Sequence, residues 1–115
     1  MKRAIIPVET KAIKREESLE LELELQEPGI VRDVIAKVKP PALEGGEPEV
    51  VPIFMVEIDP DGEKHTRKFI IGPIMRQMEV DDYSELTYVG KLFMPDRMFA
   101  VFEETSRLPG LLSGG

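Results

Sequence analysis

The sequence predicts an antiparallel β-sandwich or barrel of about six or seven short strands, in an all-β or β-rich α+β fold. Leucine and glutamate alternate without a break from Leu19 to Leu25. Turn signals rich in proline and glycine recur at intervals of about ten residues. Helical spacing accounts for at most one short helix, around residues 74–86. The sandwich is favoured because a strand with one apolar face suits an outer layer that meets water on its other face.

The first two predicted strands lie near the start of the chain. Ala4 to Val8 is a short run rich in β-branched residues, which predicts an edge strand with Pro7 facing outward. Ser18 to Gln26 is the second strand, because side chains of an extended chain point alternately to opposite faces and so separate the leucines from the glutamates. A helix would distribute the leucines around its circumference, so the period of two outweighs the good helix propensity of both residue types.

The segment from residue 30 to residue 38 fits either a helix or a strand. Its apolar pairs have helical spacing, whereas its β-branched content and its position after the hairpin-like turn Glu27-Pro28-Gly29 favour a strand. We assign a strand, which Pro40-Pro41 ends. Residues 40–49 contain three prolines and two glycines and predict the one long loop, for which a function is left open.

A hairpin is predicted in the middle of the chain. Val50 to Asp59, the most apolar strand, and Lys64 to Ile71 flank the turn Asp59-Pro60-Asp61-Gly62, whose residue types each favour a tight reversal. Pro52 indicates that the first strand begins at an edge or at a bulge, because proline lacks the N–H that a central strand uses. Gly72-Pro73 is expected to end the second strand.

The last predicted hairpin pairs Thr87 to Met94 with Met98 to Glu103, through a turn at residues 95–97. Residues 1–108 are predicted to form a single β-rich domain, because 115 residues suffice for one hydrophobic core. Residues 109–115 are rich in glycine and predict a flexible C-terminal tail.

Composition narrows the classes of function. The chain has no cysteine, which fits a reducing compartment, and no apolar run long enough for a signal peptide or a membrane span, so we expect a cytoplasmic protein that does not enter a membrane. A formal net charge of −7 repels phosphate, so no nucleic-acid partner is expected. Charge is also unevenly distributed: residues 1–15 are mostly basic and residues 16–27 are acidic, which fits either two solvated surfaces or self-association of one copy's basic arm with another's acidic sheet.

No residue is predicted to be catalytic, to ligate a metal or to hold a cofactor. His65 is the single histidine and lies among charged residues just after a turn, which is typical of an exposed strand residue. A lone histidine without cysteine does not build a typical zinc site. Asp59 and Asp61 are explained by turn formation, and the serines lack the glycine-flanked motif of a nucleophile. A small ligand-binding protein or an enzyme that depends on carboxylates and His65 remains the alternative function.

Methionine and phenylalanine are concentrated late in the sequence. Met75, Met78, Met94 and Met98 have spacings that fit a soft thioether site for Cu(I), or flexible filler of the core, which is favoured. The strand Met98–Phe102 is apolar on both faces, so it is either central in the core or covered by a partner. Five side chains are therefore predicted as interface candidates: Phe93, Met94, Met98, Phe99 and Phe102.

These observations predict a non-catalytic module that binds a protein partner or assembles with itself. The prediction rests on the two-faced apolar hairpin, on the segregated charge of residues 1–27 and on the lack of a catalytic motif. Architecture alone does not identify the partner or the pathway.

Overall fold

The computed structural model describes residues 2–13, 18–41, 43–46, 48–74, 84–94 and 97–106. Within these ranges the fold is all-β, consists of two sheets and resembles a sandwich that does not close into a barrel. No helix with the length and apolarity to cross a membrane occurs in the same ranges. The seven strands are β1 Ala4–Glu9, β2 Leu19–Gln26, β3 Pro28–Lys39, β4 Glu49–Ile58, β5 Lys64–Pro73, β6 Ser84–Met94 and β7 Arg97–Ser106.

All neighbouring strands are antiparallel. The three-stranded sheet has the order β1-β4-β3, and the four-stranded sheet has the order β2-β5-β7-β6. The β4–β5 connection therefore passes from the centre of one sheet to an interior position of the other. The hairpin predicted for these two strands is wrong: the turn at residues 59–62 forms, but β4 and β5 pair with other strands in different sheets. The predicted β-sandwich class is confirmed.

The alternating segment folds as predicted. In β2 the leucines face the core, with Leu21 and Leu25 buried, while the glutamates between them are exposed. The ambiguous segment 30–38 is a strand and forms most of β3. The turn between β2 and β3 does not make the expected hairpin, however, because these strands belong to different sheets. Gly29, at the start of β3, has φ 60, a conformation that glycine adopts without steric cost.

Three further boundaries differ from the sequence prediction. β4 is the central strand of its sheet and not an edge strand: Pro52 pairs with Ala36 of β3, and just beyond the last β1–β4 pair its carbonyl oxygen accepts a hydrogen bond from Thr10 N–H at 3.0 Å. Strand β5 continues through Gly72 to Pro73 instead of ending before them. Of the helix predicted around 74–86, residues 75–83 lie outside the described residues, and residues 84–86 belong to β6. The predicted C-terminal tail also lies outside the described residues.

The hydrophobic core lies between the two sheets. At its centre Phe54 of β4 and Phe69 of β5 meet edge to face, with ring centroids 5.0 Å apart and an interplanar angle of 78°. Neither residue is exposed to solvent, so this pair joins the two layers in the dry interior. The other buried core residues are Leu21, Leu25, Val34, Val56, Ile58, Ile71, Leu92, Phe99 and Val101.

Arg67 links the two sheets at one end of the core. Its Nε and Nη2 atoms donate to the two carboxylate oxygens of Glu103 in β7, each at 2.7 Å. Its Nη1 atom donates to the carbonyl oxygen of Gly29 in the other sheet. A Cβ atom on Gly29 would collide with this nitrogen, so the absence of a side chain there lets the guanidinium approach the backbone.

Ion pairs cross the outer face of the three-stranded sheet. Glu57 of β4 accepts hydrogen bonds from Arg3 Nη1 at 2.6 Å and from Arg32 Nη2 at 2.9 Å. These hydrogen bonds hold the pKa of Glu57 below its ordinary value, and the hydrogen bond from Arg3 contributes most. Glu9 and Lys39, from the two edge strands, meet at 2.8 Å across β4, and the Lys39 contact lowers the pKa of Glu9 in the same way. Two carboxylates of this face, Glu9 and Glu57, are thus paired with basic residues of the same chain.

The depressed pKa of Glu57 predicts a loss of stability in acid. A carboxyl group whose folded pKa lies below its unfolded pKa stabilises the fold above the unfolded value, and this contribution disappears as the pH falls through the folded value. We expect the urea midpoint to fall between about pH 5 and about pH 3, and Glu57→Gln to flatten that dependence. The control is Glu24→Gln, on an exposed residue of β2 without an ion pair. Equal acid sensitivity of the two variants would contradict the assignment.

Candidate functional site

Two rows of side chains cross the outer face of the four-stranded sheet. Each strand contributes one side chain to each row. The strand pairing places Glu20, Ile70, Phe102 and Tyr88 in one row. It places Glu22, Lys68, Glu104 and Leu86 in the next row. The face therefore changes from acidic at β2 to largely apolar at β7 and β6.

Three apolar side chains of this face are exposed to solvent. We use the name outer apolar patch for these three and two neighbours on the same face, and the patch consists of Ile70, Tyr88, Phe93, Met98 and Phe102. Phe93 is 67% exposed, Tyr88 54% and Met98 44%, whereas Ile70 is only 6% exposed and Phe102 is half-buried. The rings of Tyr88 and Phe102 pack edge to face with centroids 5.8 Å apart, and Phe93 pairs with Met98 across the β6–β7 ladder. Exposed aromatic and methionine side chains in contact with one another are typical of a protein-binding surface.

The structure divides the five predicted interface candidates between two faces. Phe93, Met98 and Phe102 belong to the outer apolar patch. Phe99 is 1% exposed in the core, and Met94 packs against the core as well. Strand β7 lies between β5 and β6, so its inner face is covered by the sandwich, while its outer face meets no other layer within the described residues.

Two members of the outer apolar patch were not predicted from the sequence. Ile70 and Tyr88 join the patch only through strand pairing. Ile70 lies opposite Phe102 from β5, and Tyr88 lies opposite Phe102 from β6. Their own segments gave no comparable signal: Ile70 lies in a mainly buried apolar run, and Tyr88 is an isolated aromatic residue. Only the register between strands places them together.

An acidic margin borders the patch. We use this name for Glu20, Glu22 and Glu24, which are exposed on the outer face of the edge strand β2. None of the three forms an ion pair with any residue that the structure describes. Lys68 lies opposite Glu22, and beyond it lies Glu104. A shallow hollow of about 230 Å³ is lined by Glu20, Leu21, Glu22, Lys68, Phe69, Ile70 and Glu104.

A charged edge strand also has a purely structural role. Charge on an edge strand opposes its pairing with the edge of another sheet, which protects the chain from aggregation. That role accounts for the glutamates of β2. It does not account for the exposed aromatic residues of β6 and β7, which increase the tendency to associate. The exposed aromatic residues of β6 and β7 together with the acidic edge strand therefore favour a binding surface.

His65 lies near the start of β5, away from the outer apolar patch. Its Nε2 atom is 2.8 Å from Glu27 Oε1 and 3.8 Å from Glu63 Oε2, and its side chain is 50% exposed. The predicted exposed position is thus observed, but with two carboxylate neighbours rather than in isolation. In the part of the chain that the structure describes, no hydroxyl group lies within hydrogen-bonding distance of the imidazole. Among the described residues the arrangement therefore holds an imidazole and two carboxylates, without a hydroxyl group that the imidazole could activate.

The four methionines do not form a described cluster. Met94 packs against the core, whereas Met98 lies on the outer face of the sheet, so these two side chains point in opposite directions. Met75 and Met78 lie outside the described residues. A Cu(I) site that uses Met94 and Met98 together would require a different arrangement of this hairpin.

Comparison of the chain with protein-family models, with curated proteins and with solved structures found no match. The functional proposal therefore rests on the geometry and charge of this chain's own residues.

Proposed function

We propose that this chain is a non-catalytic protein-binding module that uses the outer face of its four-stranded sheet. The observation that carries the proposal is the outer apolar patch, in which Tyr88 and Phe93 are more than half exposed. Aromatic residues of this kind supply most of the binding energy at protein interfaces, because they bury a large area with few rotatable bonds. We further propose that the module works in the cytoplasm, as its composition predicts.

The chemistry of this face favours a partner that is both apolar and basic. The acidic margin leaves three carboxylates without an ion pair in the described chain, next to the patch. A basic side chain of a partner can pair with them while an apolar side chain covers Phe93 or Met98. A second copy carries the same net charge of −7, which disfavours self-association at this face. Arg3 of the basic N-terminal arm is already paired with Glu57.

The outer face of the three-stranded sheet is the weaker candidate. It also exposes apolar residues, with Ile5 at 55% and Ile35 at 46%. Its carboxylates Glu57 and Glu9, however, are already paired with basic residues of the chain, and the face contributes no aromatic side chain to the exposed set. This face therefore supplies a matched control for the proposal.

The alternative function is a ligand-binding protein or an enzyme that depends on carboxylates and His65. The contacts of His65 with Glu27 and Glu63 supply a base and acids, but they lie on a half-exposed turn. An enclosed site that excludes water would make such groups more effective in catalysis. The outer apolar patch is the more extensive feature and supports the binding module.

The proposal is tested with short peptides of defined charge. One peptide alternates lysine with phenylalanine or leucine, and its partner peptide replaces every lysine with glutamate. We expect the basic peptide to bind more tightly, and the double variant Tyr88→Ser/Phe93→Ser to weaken binding by about tenfold or more, since removal of one interface hot spot commonly has that effect. Fluorescence polarisation at low and high salt measures both quantities, and chemical-shift mapping locates the bound peptide.

The double variant Ile5→Ser/Ile35→Ser is the control, since it removes two exposed apolar residues from the opposite face. Equal weakening by the two double variants, or equal binding of the acidic peptide, would refute the proposed surface. Sedimentation of the free protein adds a second readout. A dimer that dissociates only in Tyr88→Ser/Phe93→Ser would identify a second copy as the occupant and overturn the proposed basic partner.

A further inference from the structure

Three potential metal ligands converge where two turns of the fold meet. Glu27 lies in the turn between β2 and β3, and Glu63 and His65 follow the turn between β4 and β5. One ligand atom from each side chain can be chosen so that all three atoms lie within 4.8 Å of one another. The group is remote from the outer apolar patch and takes no part in the proposed function.

Backbone hydrogen bonds fix the positions from which the three side chains project. Glu27 N–H donates to the carbonyl oxygen of Glu63 at 2.9 Å, and Asp59 N–H donates to that of Glu27 at 2.7 Å. Gly62 lies against the first turn, where a Cβ atom would be 2.8 Å from the Glu27 carbonyl oxygen. The two turns are thus joined through the main chain, which holds the backbone of Glu27 beside that of Glu63.

We propose that His65, Glu27 and Glu63 form a surface site for a divalent cation of the Zn²⁺ type. One imidazole nitrogen and two carboxylate oxygens are ligands that this ion accepts. In a tetrahedron of bonds of about 2.0–2.1 Å, ligand atoms are separated by roughly 3.3 Å. The observed separations from His65 Nε2, 2.8 Å to Glu27 Oε1 and 3.8 Å to Glu63 Oε2, lie on either side of that value.

The charge of the group favours a cation over a simple ion pair. Two carboxylates face one imidazole, so even a protonated ring leaves one negative charge unmatched. A divalent cation neutralises both carboxylates. All three residues are exposed, so the remaining coordination positions are open to water or to a ligand from another molecule. The site is therefore of the open kind, with three protein ligands.

The composition of the chain makes the site easy to test. His65 is the single histidine and there is no cysteine, so one imidazole accounts for any nitrogen ligation by a side chain. The probe is Zn²⁺ alone, titrated into the metal-free full chain by calorimetry. The ring protons of His65 give one set of NMR signals, which we expect to shift or broaden at one equivalent of metal. A second readout is the melting temperature, which is expected to rise with Zn²⁺ concentration.

Four single variants decide between metal binding and an ordinary ion pair. We expect His65→Ala, Glu27→Gln and Glu63→Gln each to weaken Zn²⁺ binding by about tenfold or more. Loss of a residue that only hydrogen-bonds to a metal ligand already has an effect of about that size, and these three residues are proposed as direct ligands. The control is Glu44→Gln, which removes an exposed carboxylate from the loop before β4. Far-UV circular dichroism of each metal-free variant verifies that the fold is retained.

Two results would overturn the proposal. One is the absence of saturable 1:1 binding to the wild-type chain, with unchanged His65 signals. The other is binding that all three ligand variants retain at wild-type strength, which would place the metal on other carboxylates of the chain. Replacement of Glu63 by another zinc ligand provides an additional check. Glu63→His is expected to bind Zn²⁺ more tightly than Glu63→Gln, because histidine supplies a ligand nitrogen in place of the lost carboxylate.

Discussion

Phe54→Ala is expected to lower the free energy of unfolding by about 3–5 kcal/mol, the largest effect of any single truncation proposed for this chain. Phe54 has no solvent exposure and meets Phe69 of the opposite sheet edge to face at 5.0 Å. Truncation removes the buried ring, leaves a cavity between the sheets and deprives Phe69 of its aromatic partner. Because a domain of this size has a total stability of about 5–15 kcal/mol, the variant loses a large fraction of that stability.

Urea denaturation followed by circular dichroism measures this loss. The matched control is Phe93→Ala, which removes the same ring from a side chain that is 67% exposed. The control is expected to change stability by no more than about 0.5 kcal/mol. A similar loss for Phe54→Ala and Phe93→Ala would mean that Phe93 is covered by the chain itself, and it would weaken both the described core and the proposed binding surface.

Arg67→Ala is expected to have the second largest effect, about 2–3 kcal/mol. The guanidinium binds both oxygens of Glu103 and the carbonyl of Gly29, so its loss leaves the carboxylate of Glu103, only 19% exposed, without its cation. Breaking a fully buried pair costs about 3–5 kcal/mol, and partial exposure reduces that figure. Arg67 also lies over the ring of Phe69, with its Cζ atom 5.7 Å from the ring centroid, which adds a cation–π contact.

The control for Arg67 is another arginine in an ion pair. Arg32 also pairs with a glutamate, but its side chain is 51% exposed, so Arg32→Ala is expected to cost no more than about 1 kcal/mol. Chemical denaturation of both variants gives the comparison. The double variant Arg67→Ala/Glu103→Ala should be more stable than the sum of the two single losses implies, because it removes the unmatched carboxylate as well. Strict additivity would show that the two side chains do not act as a pair.

These two effects describe how the proposed binding face is supported. Phe54 and Phe69 hold the layers together from the centre, and Arg67 joins them at one end. The outer apolar patch lies on the side of the four-stranded sheet that faces away from these contacts. Substitutions in the patch should therefore change binding without a large change in stability, which is the separation that the peptide experiment requires.

The local sequence determined most of the strands. The alternation of leucine and glutamate in β2 and the turn at residues 59–62 depend only on neighbouring residues, and both are present in the structure. Segment 30–38 was ambiguous in its spacing, and its β-branched residues indicated the correct structure. The candidate site was predicted in part: three of the five proposed side chains lie on the outer face, because the two-faced character of β7 is visible in its composition.

Tertiary structure alone decided what those strands do together. Whether β2 pairs with β3 across their short turn or with β5 is a choice between distant contacts, and the core favoured β5. Ile70 and Tyr88 reach the patch through register, and His65 meets Glu27 although the two are 38 residues apart. The period of side chains along a strand is local, and so the sequence of one segment specifies its faces. Which strand pairs with it, and which layer packs against each of its faces, depends on the whole chain. Only the complete core distinguishes one strand order from another.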